Sequence, residues 1–308
     1  MKFVGFNISA IVPRKAISFK ELKGKSIAID AFIELYQFLK TMPRLTDRKG
    51  RLTSHLVGLF YRTTRLMSIG IKPVFVFDGP WLEIGKHERI VRGEFQPRVT
   101  ETVSEHVLLS SKQLLEGLGV PWLQAPSEAE AQAAFMTTRG DCWAVASQDF
   151  DSLLFGAKRM IVNFSLAKRR WLPRKKGFVL TGTYLIELKE LLQQLGIDQK
   201  QLIALAMLIG TDFNPGIHGI GPKKGLKLVK QYGNDFDKLF RDAGWNFEYS
   251  WQEVFEHIKT MPITDRYKIK WKDINEPAIL ELLVEGYGFD KKRVLKALER
   301  ARTGWKKK

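Results

Sequence analysis

Apolar and polar positions follow two rhythms along this chain, and the change between them marks its plan. Short β-rich runs at Ser26–Ile29, Val74–Phe77, Trp143–Ser147 and Met160–Phe164 predict strands. Between them, Phe32–Leu39, Ser54–Met67, Ser104–Leu118 and Glu128–Thr138 carry apolar residues at helical spacing. Strands alternating with helices predict an α/β fold with a mostly parallel sheet flanked by helices. Beyond about residue 184, leucine-rich helical patterns dominate, at Tyr184–Leu195, Gln199–Ile209, Lys223–Gln231 and Lys292–Arg300. The predicted division is an α/β core over 1–184 and a helical domain over 185–308, with a helix–hairpin–helix at about 204–232 and C-terminal helices. Residues 80–103 are charged and broken by Gly93 and Pro97. They read as a projecting helical excursion, so 80–112 is assigned to an arch or cap.

Composition narrows the function. The 308 residues carry 50 Lys+Arg against 33 Asp+Glu, a formal charge of +17. A basic exterior suits a polyanion, because neutralised phosphates release condensed counterions. A single cysteine, Cys142, excludes an intrachain disulfide framework and a cysteine-rich zinc site. No apolar run approaches the ~20 residues that cross a bilayer, and MKFVGFNISAIVPRK lacks a signal-peptide layout. An intracellular protein with no membrane partner is expected, cytoplasmic if archaeal and nuclear if eukaryotic.

Against this basic background, seven acids fall at segment ends. They are Asp30, Asp78, Glu128, Glu130, Asp149, Asp151 and Asp212, in IAIDA, VFDG, PSEAEAQ, SQDFDSLL and GTDFN. Ligands of parallel sheets bind beyond the carboxyl ends of the strands, and Asp30, Asp78 and Asp149 fall there. Carboxylates gathered in one place would repel a polyanion unless divalent cations neutralised them. Two cations roughly 4 Å apart can clamp the attacking and leaving oxygens of a phosphodiester. Plainer readings exist for each acid. Ser127-x-x-Glu130 fits a capping box with Glu128 in the first helical turn. Asp149 and Asp151 fit a turn after a strand, and Asp212 fits a cap before Asn214-Pro215.

GIHGIGPKKG, residues 216–225, resembles a helix–hairpin–helix phosphate grip. Closely spaced glycines, among them Gly219 and Gly221, let backbone approach a phosphate, and the next helix offers free N–H groups. Pro222 suits a first helical turn, and Lys223 and Lys224 add charge. Such a grip holds duplex backbone without reading its sequence.

The ordered set IAIDA, TSHLVGLFYRT, GIKPVFVFDG, APSEAEAQAA, ASQDFDSLLFG and LIGTDFNPGIHGIGPKKG resembles the structure-specific 5′ nucleases, above all the archaeal flap endonucleases. The resemblance runs from about Gly5 to Arg300. It implies a PIN-like 5′-nuclease core, a helix–three-turn–helix DNA-binding domain and an arch, here shortened. It implies Mg2+-dependent cleavage where a 5′ flap leaves duplex DNA, with associated 5′–3′ exonuclease activity and Mn2+ able to replace Mg2+. By matching motifs, Asp30, Asp78, Glu128 and Glu130 belong to one metal site, and Asp149, Asp151 and Asp212 to a second. Tyr36 matches a tyrosine that stacks near the scissile nucleotide, and Arg62 in TSHLVGLFYRT is read as a DNA contact. The hairpin 216–221 matches a loop that holds K+. Arg92 falls on an arginine that steadies the reacting phosphate, Lys86 lies one residue off the matching lysine, and Gly5 resembles an N-terminal glycine of the family. The chain ends ARTGWKKK without the glutamine-and-aromatic tail that binds a sliding clamp, so a clamp partner stays open. The expected partner is DNA with a 5′ flap or single/double-strand junction, bound by a monomer. A paralogous 5′ nuclease (a repair exonuclease or junction resolvase) and a non-catalytic DNA-structure-binding protein remain the alternatives.

Overall fold

Strict alternation of side chains organises the main sheet. The computed structural model describes residues 7–79, 103–164, 169–172, 177–180 and 182–305. Its strands are β1 Lys15–Ala16, β2 Ser26–Asp30, β3 Lys72–Phe77, β4 Trp122–Gln124, β5 Ala144–Ala146, β6 Arg159–Val162 and β9 Tyr184–Glu187, ordered β1-β9-β6-β5-β2-β3-β4. A separate ribbon pairs β7 Arg169–Leu172 with β8 Gly177–Leu180. The five strands β6-β5-β2-β3-β4 are mutually parallel, and β9 and β1 join antiparallel at one side.

Ile27 and Ile29 of β2, Phe75 and Phe77 of β3, and Ala144 and Ala146 of β5 enter one core. Ala28, Val74, Val76 and Val145, one residue out of step, enter another on the opposite face. A period of two with both faces apolar makes a sheet buried on both sides.

Helices α1 Ala31–Thr41, α2 Ser54–Ile69 and α3 Glu105–Gly117 cover the first face, and α4 Ala129–Arg139 covers the second. A short helix, α5 Asp151–Leu154, follows β5. Helices α6 Leu188–Leu195, α7 Gln199–Ile209, α8 Pro222–Tyr232, α9 Phe236–Ala243 and α10 Trp251–Lys259 share a further core with Phe150, Leu153 and Met160. Residues 262–275 then run back without helix or strand along the α4 side. There Gln132 and Thr264 exchange two hydrogen bonds at 2.9 and 2.8 Å, and Trp271 Nε1 donates to the Pro73 carbonyl at 2.9 Å. A one-turn helix α11 Glu276–Ile279, a π-helical stretch Leu280–Gly286 and α12 Lys291–Trp305 follow.

Three expectations change. Tyr184–Leu195 was expected to be all helix, but its first four residues form β9, because YLIE can extend the sheet beside β6 and bury Leu185 and Ile186. The expected division at 184/185 therefore falls inside a strand. Ile279, Leu283, Val294, Leu298 and Ala301 pack into the core of α1 and α2, so the C-terminal helices join the sheet domain rather than the helices before them. Finally, α3 starts at Glu105 and buries Val107, Ser110 and Ser111, so 105–112 belong to a helix packed on the core rather than to an arch, and residues 80–102 of the expected arch lie outside the described residues.

Candidate active site

The chain winds from β2 to β3 to β4 and then returns to place β5 on the other side of β2. Winding thus reverses between β2 and β5, where an open parallel sheet leaves a cleft at its carboxyl rim. Asp30 ends β2, Asp78 follows β3, Glu128 and Glu130 open α4 beyond β4, and Asp149 and Asp151 follow β5. Six acids from four strand ends share one rim.

Asp30 is 6% exposed and caps α1, its Oδ1 accepting from the Ile33 N–H at 2.8 Å. Burial pushes its carboxyl up to about 7, and the charges of Glu128 and Glu34 push the same way. Asp78 Oδ1 accepts from the Ala129 N–H at 2.7 Å and so caps α4 from another strand. That bond displaces the local cap. Glu128, not Ser127, holds the N-cap position and makes no side-chain cap bond. Ser127 Oγ contacts Met261 Sδ at 3.2 Å, and Glu130 Oε1 accepts from Ser147 Oγ at 2.6 Å. The capping-box reading of Ser127 and Glu130 fails because Asp78 already serves the helix end.

Ser147 Oγ also accepts from the Asp149 N–H at 3.1 Å, which ties the α4 acids to the β5 acids. Burial raises Glu130 well above the usual carboxylate range, helped by the charges of Asp151, Asp30 and Asp149. Burial raises Asp149 too, with a further push from Asp212. Asp212 lies exposed in a turn pinned by Thr211 and Asn214, whose Oγ1 and Oδ1 meet at 2.9 Å. Thr211 and Asn214 supply side-chain bonds of that turn, Thr211 Oγ1 accepting from the Phe213 N–H at 3.0 Å and Asn214 Nδ2 donating to the Met207 carbonyl at 2.7 Å. The acids therefore sense one another from Glu128 through Asp30, Glu130 and Asp149 to Asp212.

Sequence reasoning missed Glu34. It lies one helical turn after Asp30, is 8% exposed, and meets Arg62 Nη2 at 2.7 Å. Burial raises its carboxyl, and Arg62 pulls it back only in part. The only signal in sequence was an acid at a core-facing helical position. Arg62, expected at the DNA, is largely buried, and its Nη2 also donates to the Phe164 carbonyl at 2.5 Å. Tyr36 is half-buried on α1 with Lys40 Nζ 5.5 Å from its ring centre.

Crowded, buried carboxylates with raised pKa values fit hard divalent cations, which prefer oxygen donors. Among the described residues, no three His, Cys, Asp or Glu side chains stand close enough to hold an ion by themselves. Magnesium tolerates that spacing, since it keeps several waters and takes one or two carboxylates directly.

In the hairpin, Pro222 is the first residue of α8 and Gly221 its N-cap. Gly216 has φ +77°, and a Cβ there would run into the Ile209 carbonyl. Gly221 is different: its backbone is extended and nothing lies within 4 Å of an added Cβ. The fold does not require glycine at 221, which leaves room for an outside partner to approach the backbone. Lys223 and Lys224 are exposed beside it. Gly5, Lys86 and Arg92 lie outside the described residues.

Two XPG family models match this doubly covered parallel sheet and its acidic rim. The XPG N-terminal domain matches residues 7–96 and the XPG I-region matches residues 119–212. Flap endonuclease 1 of Hyperthermus butylicus is 43% identical over 335 residues, covering 98% of this chain and 95% of its own. The flap endonuclease-1 structure from Methanococcus jannaschii superposes with a TM-score of 0.82 at 32% identity, over 98% of this chain and 99% of that one. The catalytic core of Rad2 in complex with DNA substrate shares the fold, with a TM-score of 0.73 at 22% identity over 94% of this chain and 96% of that one. This chain belongs to the flap endonuclease family, whose nucleases generally depend on divalent metal.

Proposed function

We propose that this protein is a structure-specific 5′ flap endonuclease of DNA replication and repair, with 5′–3′ exonuclease activity. The observation that carries this reading is the electrical coupling of acids from the ends of β2, β4 and β5 at the β2/β5 reversal, joined by Asp212, on a chain of net charge +17. When bound, two Mg2+ ions, or Mn2+ in their place, lower the pKa of water and offset charge on the phosphate. Asp30, Asp78, Glu128 and Glu130 would hold one ion and its hydration shell, and Asp149, Asp151 and Asp212 the other. Ser147 keeps the two sets in register by bonding to Glu130 and to the Asp149 backbone.

Binding is assigned to other residues. The glycine hairpin with Lys223 and Lys224 would grip duplex phosphates beyond the junction, with K+ on the carbonyls of 216–221. Tyr36 would stack near the scissile nucleotide, Arg62 would support the nearby strand, and Gly5 would approach the DNA. Arg92 and Lys86 would steady the reacting phosphate. The protein would act as an intracellular monomer, cytoplasmic if archaeal and nuclear if eukaryotic, with any sliding-clamp contact supplied outside these motifs. The proposed work division is a cutting sheet domain and a gripping helical domain.

The test is Mg2+-dependent cleavage of an end-labelled double-flap substrate with the cut mapped to the nucleotide. A cut within a nucleotide or so of the junction, abolished by EDTA, is expected. Equal cutting of a four-way junction, or no cutting with either metal, would overturn the assignment.

A further inference from the structure

The Glu34–Arg62 pair is incomplete, and the incompleteness lies beside Asp30. Glu34 Oε1 takes Arg62 Nη2 at 2.7 Å, yet Glu34 Oε2 and Arg62 Nε are both buried with no hydrogen-bond partner. A guanidinium and a carboxylate normally meet through two parallel bonds, which would have satisfied both atoms. Here Nη2 is instead shared with the Phe164 carbonyl, and the ring of Phe164 lies 5.5 Å under the guanidinium. Arg62 is thereby held between Glu34 of α1 and the residues after β6. An acceptor left open in the interior costs about 1–3 kcal/mol, so its persistence points to a partner.

A donor held beside Asp30 would supply that partner. Glu34 stands one turn along α1 from Asp30, on the same helical face, and its charge helps to raise Asp30. A hydrated divalent cation on Asp30 carries water molecules whose hydrogens need acceptors in their outer layer. We propose that Glu34 is a positioning residue of the cation site: Oε2 accepts from a water of the ion on the Asp30 side, while Arg62 fixes Oε1. The inference rests on the metal-dependent reading above. Glu34 touches no reacting atom and acts through the hydration of the ion. Arg62 has a part in this arrangement even before any DNA arrives, since it sets the direction in which Glu34 can reach.

The experiment is Mn2+ binding by the DNA-free full chain, counting free ion by electron paramagnetic resonance, with thermal unfolding in EDTA as a check of folding. Outer partners of metal ligands typically change affinity 10–100-fold, so Glu34→Gln should weaken the tighter Mn2+ by about tenfold. A second variant, Glu34→Leu with Arg62→Met, removes both charges together and keeps an apolar filling. It should stay weakened, because the acceptor is gone although the charge balance is kept. If the double variant does not fold, Glu34→Asp replaces it, with the charge kept and the reach shortened; it too should bind less tightly. Unchanged affinity in Glu34→Gln overturns the proposal. So does wild-type affinity in the second variant, which would make Glu34 a mere counter-charge for Arg62. Absence of Mn2+ binding by the wild-type chain would instead bring down the metal-dependent reading itself.

Discussion

The carboxylate of Asp78 accepts the Ala129 N–H at 2.7 Å, so the end of β3 caps the helix that carries Glu130. One acid thereby fixes the spacing between two groups of carboxylates that are far apart in sequence. Asp78→Asn keeps an acceptor for Ala129, and Asp78→Ala does not. Loss of an N-cap costs about 1 kcal/mol, so thermal melts should show that loss for Ala and little change for Asn. Flap cleavage should collapse in both variants, because both lose the charge.

Proton linkage gives a second expectation. Asp30 has an ordinary value of 3.8 and is pushed up to about 7 in the fold, chiefly by burial. Between those values the folded state binds more protons than the unfolded one, so stability falls as pH rises through the window. Glu130 and Asp149 are raised in the same direction. Buried His55 works the other way: burial lowers it from 6.5 to about 4, so its contribution is lost as pH falls from 6.5 towards 4. The difference between melting temperatures with Mn2+ and with EDTA removes the His55 part. That difference should widen from pH 5.5 to 8, as cations replace protons on the rim.

The hairpin glycines should separate by role. Gly216→Ala meets the Ile209 carbonyl at positive φ, and should lower the melting temperature clearly. Gly221→Ala has extended backbone and open space around it, so it should leave melting unchanged while weakening duplex binding. Loss of stability in Gly221→Ala, or of neither property, would show that the position faces no ligand.

Lys223 and Lys224 are exposed at the start of α8. If each meets a phosphate, alanine at either should reduce the slope of log affinity against log salt by about 1 and weaken binding alike for all sequences. Fluorescence anisotropy with a duplex at several salt concentrations reads both.

Sequence pattern revealed the acidic rim because each of β2 and β3 is an apolar run that stops at an acid, Asp30 or Asp78. The helices followed from a periodicity that survives burial on one face. Tyr184–Glu187 was hidden because YLIE joins directly to the amphipathic α6, and only its neighbour β6 decides that it extends. The C-terminal helices were assigned to the wrong core, since periodicity shows that a face is apolar but not which surface it meets. Ser127-x-x-Glu130 misled for a related reason: the bond that displaced it joins the Ala129 N–H to Asp78, 51 positions earlier. Glu34 was invisible until α1 and α2 were seen together, because its meaning lies in Arg62.

The most direct test of the acidic rim is anomalous scattering from crystals soaked in Mn2+. Two peaks roughly 4 Å apart are expected, one beside Asp30 and Glu128 and one beside Asp149 and Asp151. Peaks absent from the rim, in a crystal that binds Mn2+ elsewhere, would contradict the proposed metal-dependent cleavage.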